Sequence, residues 1–394
     1  MREHFEDRVA ISGIGSSQIG RRLQRDPWAL TAEAALAAIA DAGLRPDDID
    51  GISTYPGGNH PSAGFSGAGL WDVRTMLGLD LRFISGGTEV AGQIGSVINA
   101  AVAVGSGVVD HVLCFRSVWE STSQMIGGRA AAVIPQGLAP DAPPSPSTAA
   151  AARVEGDREW TLPYGVGHPN HGALLTQRYF HEHGATREQL AQIALIARRN
   201  AARNPDAVYR DPLTLDDYLD ARMISEPLCL YDCDVPVDGT IAVVVSRREA
   251  IPATARPPIL VEAIGSRPGI DQAGDMMWSR SPRLSPGDVN IAEVYDGWSI
   301  LSLLWLEGLK LCGRGEAANF VEGGDRIALD GELPICTGGG QLSAGRLHGY
   351  LQVYEACLQL RGEGGDRQVT PQPEVAVAST GANHFTGCML LSTG

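Results

Sequence analysis

Residues 44–55 read Leu44-Arg-Pro46-Asp-Asp48-Ile-Asp50-Gly-Ile-Ser-Thr-Tyr55, and residues 284–295 read Leu284-Ser-Pro286-Gly-Asp288-Val-Asn290-Ile-Ala-Glu-Val-Tyr295. The two stretches align without a gap at an offset of 240 residues. Leu, Pro, Asp and Tyr match, and the Ile/Val and Asp/Asn pairs are similar in kind. A proline and an aspartate ahead of a short apolar run describe a loop entering a strand. The chain is therefore read as two related halves.

Working outward from the first copy, Val9-Ala-Ile-Ser-Gly-Ile-Gly15 suits a buried strand, and Pro27 to Ala42 carries apolar residues at helical spacing with Gly43 just past the end. Strands follow near 81–85 and 110–115, with a small-residue helix over about 90–105 between them. Strands alternating with helices predict a largely parallel sheet covered on both faces. In the second half, Pro257–Ile264 reads as a strand, 299–311 as a helix ended by Cys312-Gly313, 350–360 as a helix and 375–379 as a strand. Between Gly265 and Leu284 the spacing predicts no counterpart of the 27–42 helix, at most a turn at Gly274-Asp-Met-Met-Trp278, so this half looks trimmed. The stretch between the halves is different. It contains Ala142-Pro-Pro-Ser-Pro-Ser, which is loop chemistry, and a helix opened by Thr186 and stopped by Asn204-Pro205. His168-Pro-Asn170-His171 reads as a surface loop or a pocket mouth. The organisation is α/β: residues 1–117 with 236–250, an inserted excursion domain over 118–235, and a second half over 251–394.

Bulk properties narrow the partners. A net charge of −15 argues against nucleic acid. The absence of a run of about 18 apolar residues argues against a membrane span. The acidic start, Met1-Arg-Glu-His-Phe-Glu-Asp, does not read as a signal peptide, and a cytoplasmic location is expected. Seven scattered cysteines fit a reducing compartment, and none of their spacings suggests a metal site. The arginines 198, 199, 203, 210 and 222 read as a solvated surface, with an anion-binding patch as the alternative. No strand–Gly-x-Gly-x-x-Gly–helix unit is present, so no nucleotide cofactor is expected.

The duplicated half, the Gly-rich loop 337–349 and the string Met223-Ile-Ser225-Glu-Pro227-Leu-Cys-Leu-Tyr-Asp232 resemble the thiolase superfamily, most nearly its sterol-carrier and lipid-transfer branch. The resemblance implies a thiolase-like fold of two α/β/α halves with the excursion inserted. It also implies a catalytic cysteine at a helix start, a His in a Gly-His-Pro turn and a second, late cysteine. This chain has none of them. No cysteine lies before Cys114, the turn reads Gly345-Arg346-Leu347-His348-Gly349, and the late position reads Ala378-Ser379-Thr380-Gly381. Cys388, nine residues past Ser379, reads as strand packing.

Acid–base and oxyanion chemistry remains. Steroid side-chain aldolases of the lipid-transfer type carry a catalytic Tyr at the junction that Glu293-Val-Tyr295-Asp296 resembles, and pair it with a second Tyr in the loop. Here Arg346 stands at that second position, while His348 matches the loop pattern. A phenol of pKa about 10 needs a cationic neighbour to act as a base. The resemblance therefore implies Tyr295 as base, Arg346 as electrostatic partner and His348 as proton donor to an enolate. It implies substrate contacts from Asp296, Gly339, Gly340, Tyr350 and Asn383. The plainer alternatives are a core tyrosine, a structural ion pair and a capping histidine. The glycines 338–340 and 345 read as loop geometry with close backbone approach to a ligand. The implied reaction is retro-aldol cleavage of a β-hydroxyacyl-CoA, with CoA as part of the substrate and no other cofactor. The implied partners are a second copy of the chain and a small zinc-ribbon/OB-fold protein. An acyltransferase using another nucleophile and a non-catalytic acyl-CoA carrier stay open.

Overall fold

The computed structural model describes residues 4–57, 64–86, 92–133, 164–382 and 385–394, with 127–133 through their backbone alone. The first half contributes β1 (Val9–Ser16), α1 (Pro27–Asp41), β2 (Gly51–Thr54), α2 (Leu70–Leu77), β3 (Phe83–Gly86), α3 (Gly95–Gly105) and β4 (His111–Trp119). The intervening stretch carries α4 (Glu120–Val133), α5 (His168–His183), α6 (Arg187–Ala201) and a small hairpin of β5 (Met223–Ser225) and β6 (Leu228–Cys229). Then come β7 (Asp238–Arg247), β8 (Ile259–Ser266), α7 (Ile270–Arg280), β9 (Ile291–Glu293), α8 (Ser299–Gly308), α9 (Tyr350–Leu360), β10 (Val375–Thr380) and β11 (Gly387–Ser392).

The sequence repeat is a structural one. Pro46–Asp48 and Pro286–Asp288 each form one turn of 3-10 helix. Aspartate closes both: Arg45 N–H donates to Asp48 Oδ2 at 2.7 Å and Ser285 N–H to Asp288 Oδ2 at 2.8 Å. Two residues on, Asp50 accepts from the N–H groups of Asp110 and His111 at the start of β4. At the matched position Asn290 Oδ1 accepts from Glu374 and Val375 at the start of β10, both at 2.9 Å. The Asp/Asn similarity thus has a cause: each side chain pins its own strand to the parallel neighbour.

Nine strands form one sheet in the order β3-β2-β4-β7-β1-β8-β11-β10-β9, so the halves are mirror images about β1 and β8. A parallel bridge from Ala292 to Ile335 stands where β3 pairs β2 in the first half. The parallel pairing expected from βα alternation holds in the outer part of each half. The centre is antiparallel, because β7 and β11 return between strands already laid down. At the seam β1 meets β8 through only Ala10–Leu260 and Ile11–Ile259.

Strand alternation builds three apolar layers. Val112, Cys114, Val243 and Val245 join Ile291, Ala376 and Met389 around α3 and α9, which form an inner layer shared by the two halves. Leu113, Phe115, Ala242 and Val244 face α1 and α2, while Ala263, Ala292, Val377 and Leu390 face α7 and α8.

Three expectations need correction. The second half is not trimmed, because α7 is an 11-residue counterpart of α1. It escapes periodicity because its closest contact is made by small residues: Ala273 and Gly274 lie buried against α8, with Met277 buried beside them and Ile270 and Trp278 partly buried. His168-Pro-Asn170-His171 is not a loop but the first turn of α5, where Asn170 Oδ1 caps Gly167 N–H at 2.7 Å. The small-residue helix α3 begins at Gly95, and residues 87–91 lie outside the described residues.

A β-carbon on Gly274 would stand 2.0 Å from the Gly308 carbonyl oxygen, so α7 and α8 cannot approach as they do with any larger residue. Alanine is the better helix former by about 1 kcal/mol. Forcing it against backbone costs toward the upper end of about 1–3 kcal/mol and wins. Gly274→Ala should therefore lose about 2 kcal/mol net, seen as a lower urea midpoint with unchanged helix content. An unaltered midpoint would contradict the tight contact.

Candidate active site

The site is built where β9 runs into α8, faced by the Gly-rich loop that precedes α9. Tyr295 lies two residues past β9, and its N–H donates to Ser379 Oγ at 3.1 Å. Ser379, at the position where the resemblance implied a late cysteine, is therefore a strap on the backbone of the tyrosine. The Tyr295 ring is buried and passes over Gly297, where an added β-carbon would meet Cε1 at 2.8 Å.

Two junction carboxylates hold the loop. Asp296 is fully buried; Oδ1 accepts from Gln341 N–H at 2.9 Å and Gln352 Nε2 at 3.1 Å, and Oδ2 accepts from Leu342 N–H at 3.2 Å. Burial outweighs these donors and pushes its carboxyl up to about 7. Glu293, pushed up to about 8 by burial and by neighbouring Glu355, meets the start of the loop at Thr337, whose hydroxyl lies 2.6 Å from Glu293 Oε1.

Arg346 is tied on both sides. Its Nε and Nη2 donate to Glu120 Oε2 at 2.9 and 2.5 Å, and its Nη1 donates to Asp234 Oδ1 at 3.0 Å. Burial alone would lower its pKa; Asp234 and Glu120 hold it raised, with a smaller contribution from Tyr295. The structure thus brings Tyr295 and Arg346 within each other's field. The guanidinium, however, is already shared by two carboxylates. Asp234 is itself pushed up to about 6, burial outweighing Arg346.

His348 takes a left-handed backbone conformation at φ 48°, and its N–H donates to Gln341 Oε1 at 3.0 Å. Its Nδ1 accepts from Arg116 Nε at 3.2 Å and Nη2 at 3.1 Å. Two guanidinium N–H groups facing Nδ1 place that nitrogen as an acceptor, so Nδ1 is not the atom from which His348 could supply a proton.

Other expected substrate contacts are reassigned. Tyr350 is fully buried in the inner layer, its hydroxyl bonded to Ser96 of α3. Gly339 and Gly340 have positive φ, and what crowds them is the protein itself: added β-carbons would meet Ala201 of α6 at 2.6 Å and Asp296 Oδ2 at 2.0 Å. Asp296 holds the loop through its backbone. Asn383 lies outside the described residues. Arg198 is not solvated: it is buried, donates to Ser343 Oγ at 3.1 Å and stacks on Tyr209 and Tyr231.

Sequence reasoning missed Arg116, Glu120 and Asp234. For Arg116 a signal existed, since a charge within the apolar run His111-Val-Leu-Cys-Phe-Arg116 of a doubly covered strand must be held by something. Among the described residues no cluster of His, Cys, Asp and Glu could hold a metal ion. All seven thiols are pushed up by burial, Cys229 to about 11 and Cys233, Cys312 and Cys357 to about 12, with Cys114, Cys336 and Cys388 raised further. A thiol nucleophile needs the opposite shift.

Residues 267–392 match the thiolase C-terminal domain-like family. A steroid side-chain-cleaving aldolase of Thermomonospora curvata is 34% identical over 90% of this chain and 90% of its own. A 17-hydroxy-3-oxo-4-pregnene-20-carboxyl-CoA lyase of Mycobacterium tuberculosis is 31% identical over 95% and 96%. The solved Ltp2-ChsH2(DUF35) aldolase shares the fold with a TM-score of 0.81, at 30% identity over 98% of this chain and 97% of that one. Human mitochondrial 3-ketoacyl-CoA thiolase shares it with a TM-score of 0.67 over 99% and 100%, at 15% identity. The halves, their order and the layering define a thiolase-type fold. The chain belongs to the thiolase superfamily, in the lipid-transfer branch that holds the steroid side-chain-cleaving aldolases.

Native protein at pH 7 incubated with an acyl-CoA should yield no acylated cysteine by intact-mass spectrometry, and brief iodoacetamide treatment should leave function intact. Substrate-protected inactivation at one cysteine would contradict the burial argument.

Proposed function

We propose that this protein is a carbon–carbon lyase that cleaves a β-hydroxyacyl-CoA thioester by a retro-aldol reaction, with a steroid or other bulky lipid side chain as substrate. The observation that carries this reading is Tyr295, a buried phenol strapped by Ser379 at the junction, in a chain whose thiols are all raised. The relatives at 34% and 31% identity are an aldolase and a lyase, while acetyl-CoA acetyltransferases at 28% and 30% also cover 92% of the chain and rely on chemistry for which this chain's raised thiols are unsuited.

Tyr295, as phenolate, takes the β-hydroxyl proton. The O–H electrons form the carbonyl of the released ketone or aldehyde, the Cα–Cβ bond breaks, and its electron pair passes to the thioester enolate. Tyr295 then holds the proton that returns to Cα, leaving a shorter acyl-CoA. CoA enters as part of the substrate, and the proposal needs no other cofactor. The field of Arg346 favours the phenolate, weakened by its two carboxylates.

The assembly proposed includes a second copy of the chain. Its support is β3, an edge strand with Ile84 exposed; an apolar edge of this kind invites pairing. A small zinc-ribbon/OB-fold partner fits exposed Met125, Ile126 and Leu174 on α4 and α5. Among the described residues no helix is long and apolar enough to cross a membrane, and a cytoplasmic location is part of the proposal.

Light scattering at micromolar concentration should give a dimer; a monomer would count against the β3 interface. Tyr295→Phe removes only the hydroxyl and keeps the ring over Gly297. It should lower kcat by about 10²–10⁴-fold with thioester binding retained, measured on a β-hydroxyacyl-CoA that the wild-type protein cleaves. A near wild-type rate would make Tyr295 core packing.

A further inference from the structure

We propose that Arg116 is a positioning residue for this site: it fixes His348 as the Nε2–H tautomer, so that His348 donates a hydrogen bond to the oxygen that carries the enolate charge. This rests on the lyase reading above.

The arrangement is unusual for a structural arginine. Arg116 is 1% exposed in β4, and among the described residues no carboxylate pairs with its guanidinium. Its Nη1 donates to the carbonyls of Tyr55 at 3.2 Å and Ser117 at 3.0 Å, while Nε and Nη2 both donate to one imidazole nitrogen. Phe65 and Tyr55 lie 4.5 and 5.3 Å from the guanidinium carbon. An apolar side chain would fill this strand position without the cost of burying a charge.

His348 is restrained on three sides: its backbone N–H on Gln341, its Nδ1 on Arg116, and its ring against Phe65 at 4.9 Å between centroids. Its φ of 48° is one that a residue with a β-carbon adopts rarely, so the loop pays for this orientation. A proton added at Nδ1 would face two guanidinium N–H groups. The imidazole is therefore held neutral with its proton on Nε2, the state suited to polarising a carbonyl and stabilising an oxyanion. No bond to His348 forms or breaks; the enolate electrons stay on the substrate and the Nε2 proton stays on nitrogen.

The test begins with wild-type protein labelled with ¹⁵N-histidine. Two-bond ¹H–¹⁵N correlation, with His348 assigned through His348→Gln, should show one fixed Nε2–H tautomer at pH 7. A proton on Nδ1, or on both nitrogens, would overturn the proposal whatever happens to any variant. Arg116→Met, of similar length, should release the tautomer and lower kcat by about 10²–10³-fold with a much smaller change in KM. Arg116→Lys keeps one donor and should recover part of both. Equal kcat in the Met variant and the wild type would make Arg116 a packing residue. A fixed tautomer in a protein that cleaves no β-hydroxyacyl-CoA would sink the lyase reading and leave the restraint on His348 standing.

Discussion

The site depends on two carboxylates at the end of one short strand. Glu293 holds the Gly-rich loop at its start through Thr337, and Asp296 holds its middle through the backbone of Gln341 and Leu342. From there the geometry propagates. Asp296 leaves no room for a side chain at residue 340, the turn at 340–344 widens into a π-helical form, and Gln341 reaches forward to the backbone of His348. Among the described residues neither carboxylate pairs with a cation, which is why burial dominates and both are raised toward neutrality.

The cations of the site are placed along the middle and later part of the same loop. Arg198 meets it at Ser343, Arg116 at His348, and Arg346 is part of it. They are not equivalent. Arg346 is neutralised locally by Glu120 and Asp234, whereas Arg116 and Arg198 are bound by neutral groups and have their pKa lowered by burial. A cation bound only by neutral groups keeps its field for whatever anion forms nearby. On the Arg346 side, by contrast, the charge is already balanced.

Seen against the thiolase pattern, two of the lost catalytic positions now hold supporting residues. Ser379 stands in the late cysteine position and fixes the backbone of Tyr295. Arg346 stands in the His position and joins the start of α4 to the 234–235 segment through Glu120 and Asp234. Neighbouring Thr380 bonds to Gln93 ahead of α3. Nucleophilic chemistry gives way to a scaffold that orients a phenol and an imidazole.

The sequence by itself determined the duplication, since a Pro-x-Asp turn and an Asp or Asn two residues later are local signals whose partners are fixed by strand adjacency. It also determined most elements of the halves and the loss of the catalytic thiols, because propensity and the absence of a residue type can be read without coordinates. It pointed to Tyr295, Arg346 and His348, though only through a resemblance. What it could not supply was how side chains distant in sequence meet. The α7 helix was hidden because its tightest contact is a glycine against another helix's carbonyl, which adds no apolar residue to the pattern. The partners of Arg346 lie 226 and 112 residues away, and those of His348 include Arg116, 232 residues away. Whether an arginine is a free charge or a shared one, and which imidazole nitrogen faces a guanidinium, depend on such long-range contacts. Only the tertiary structure decided them.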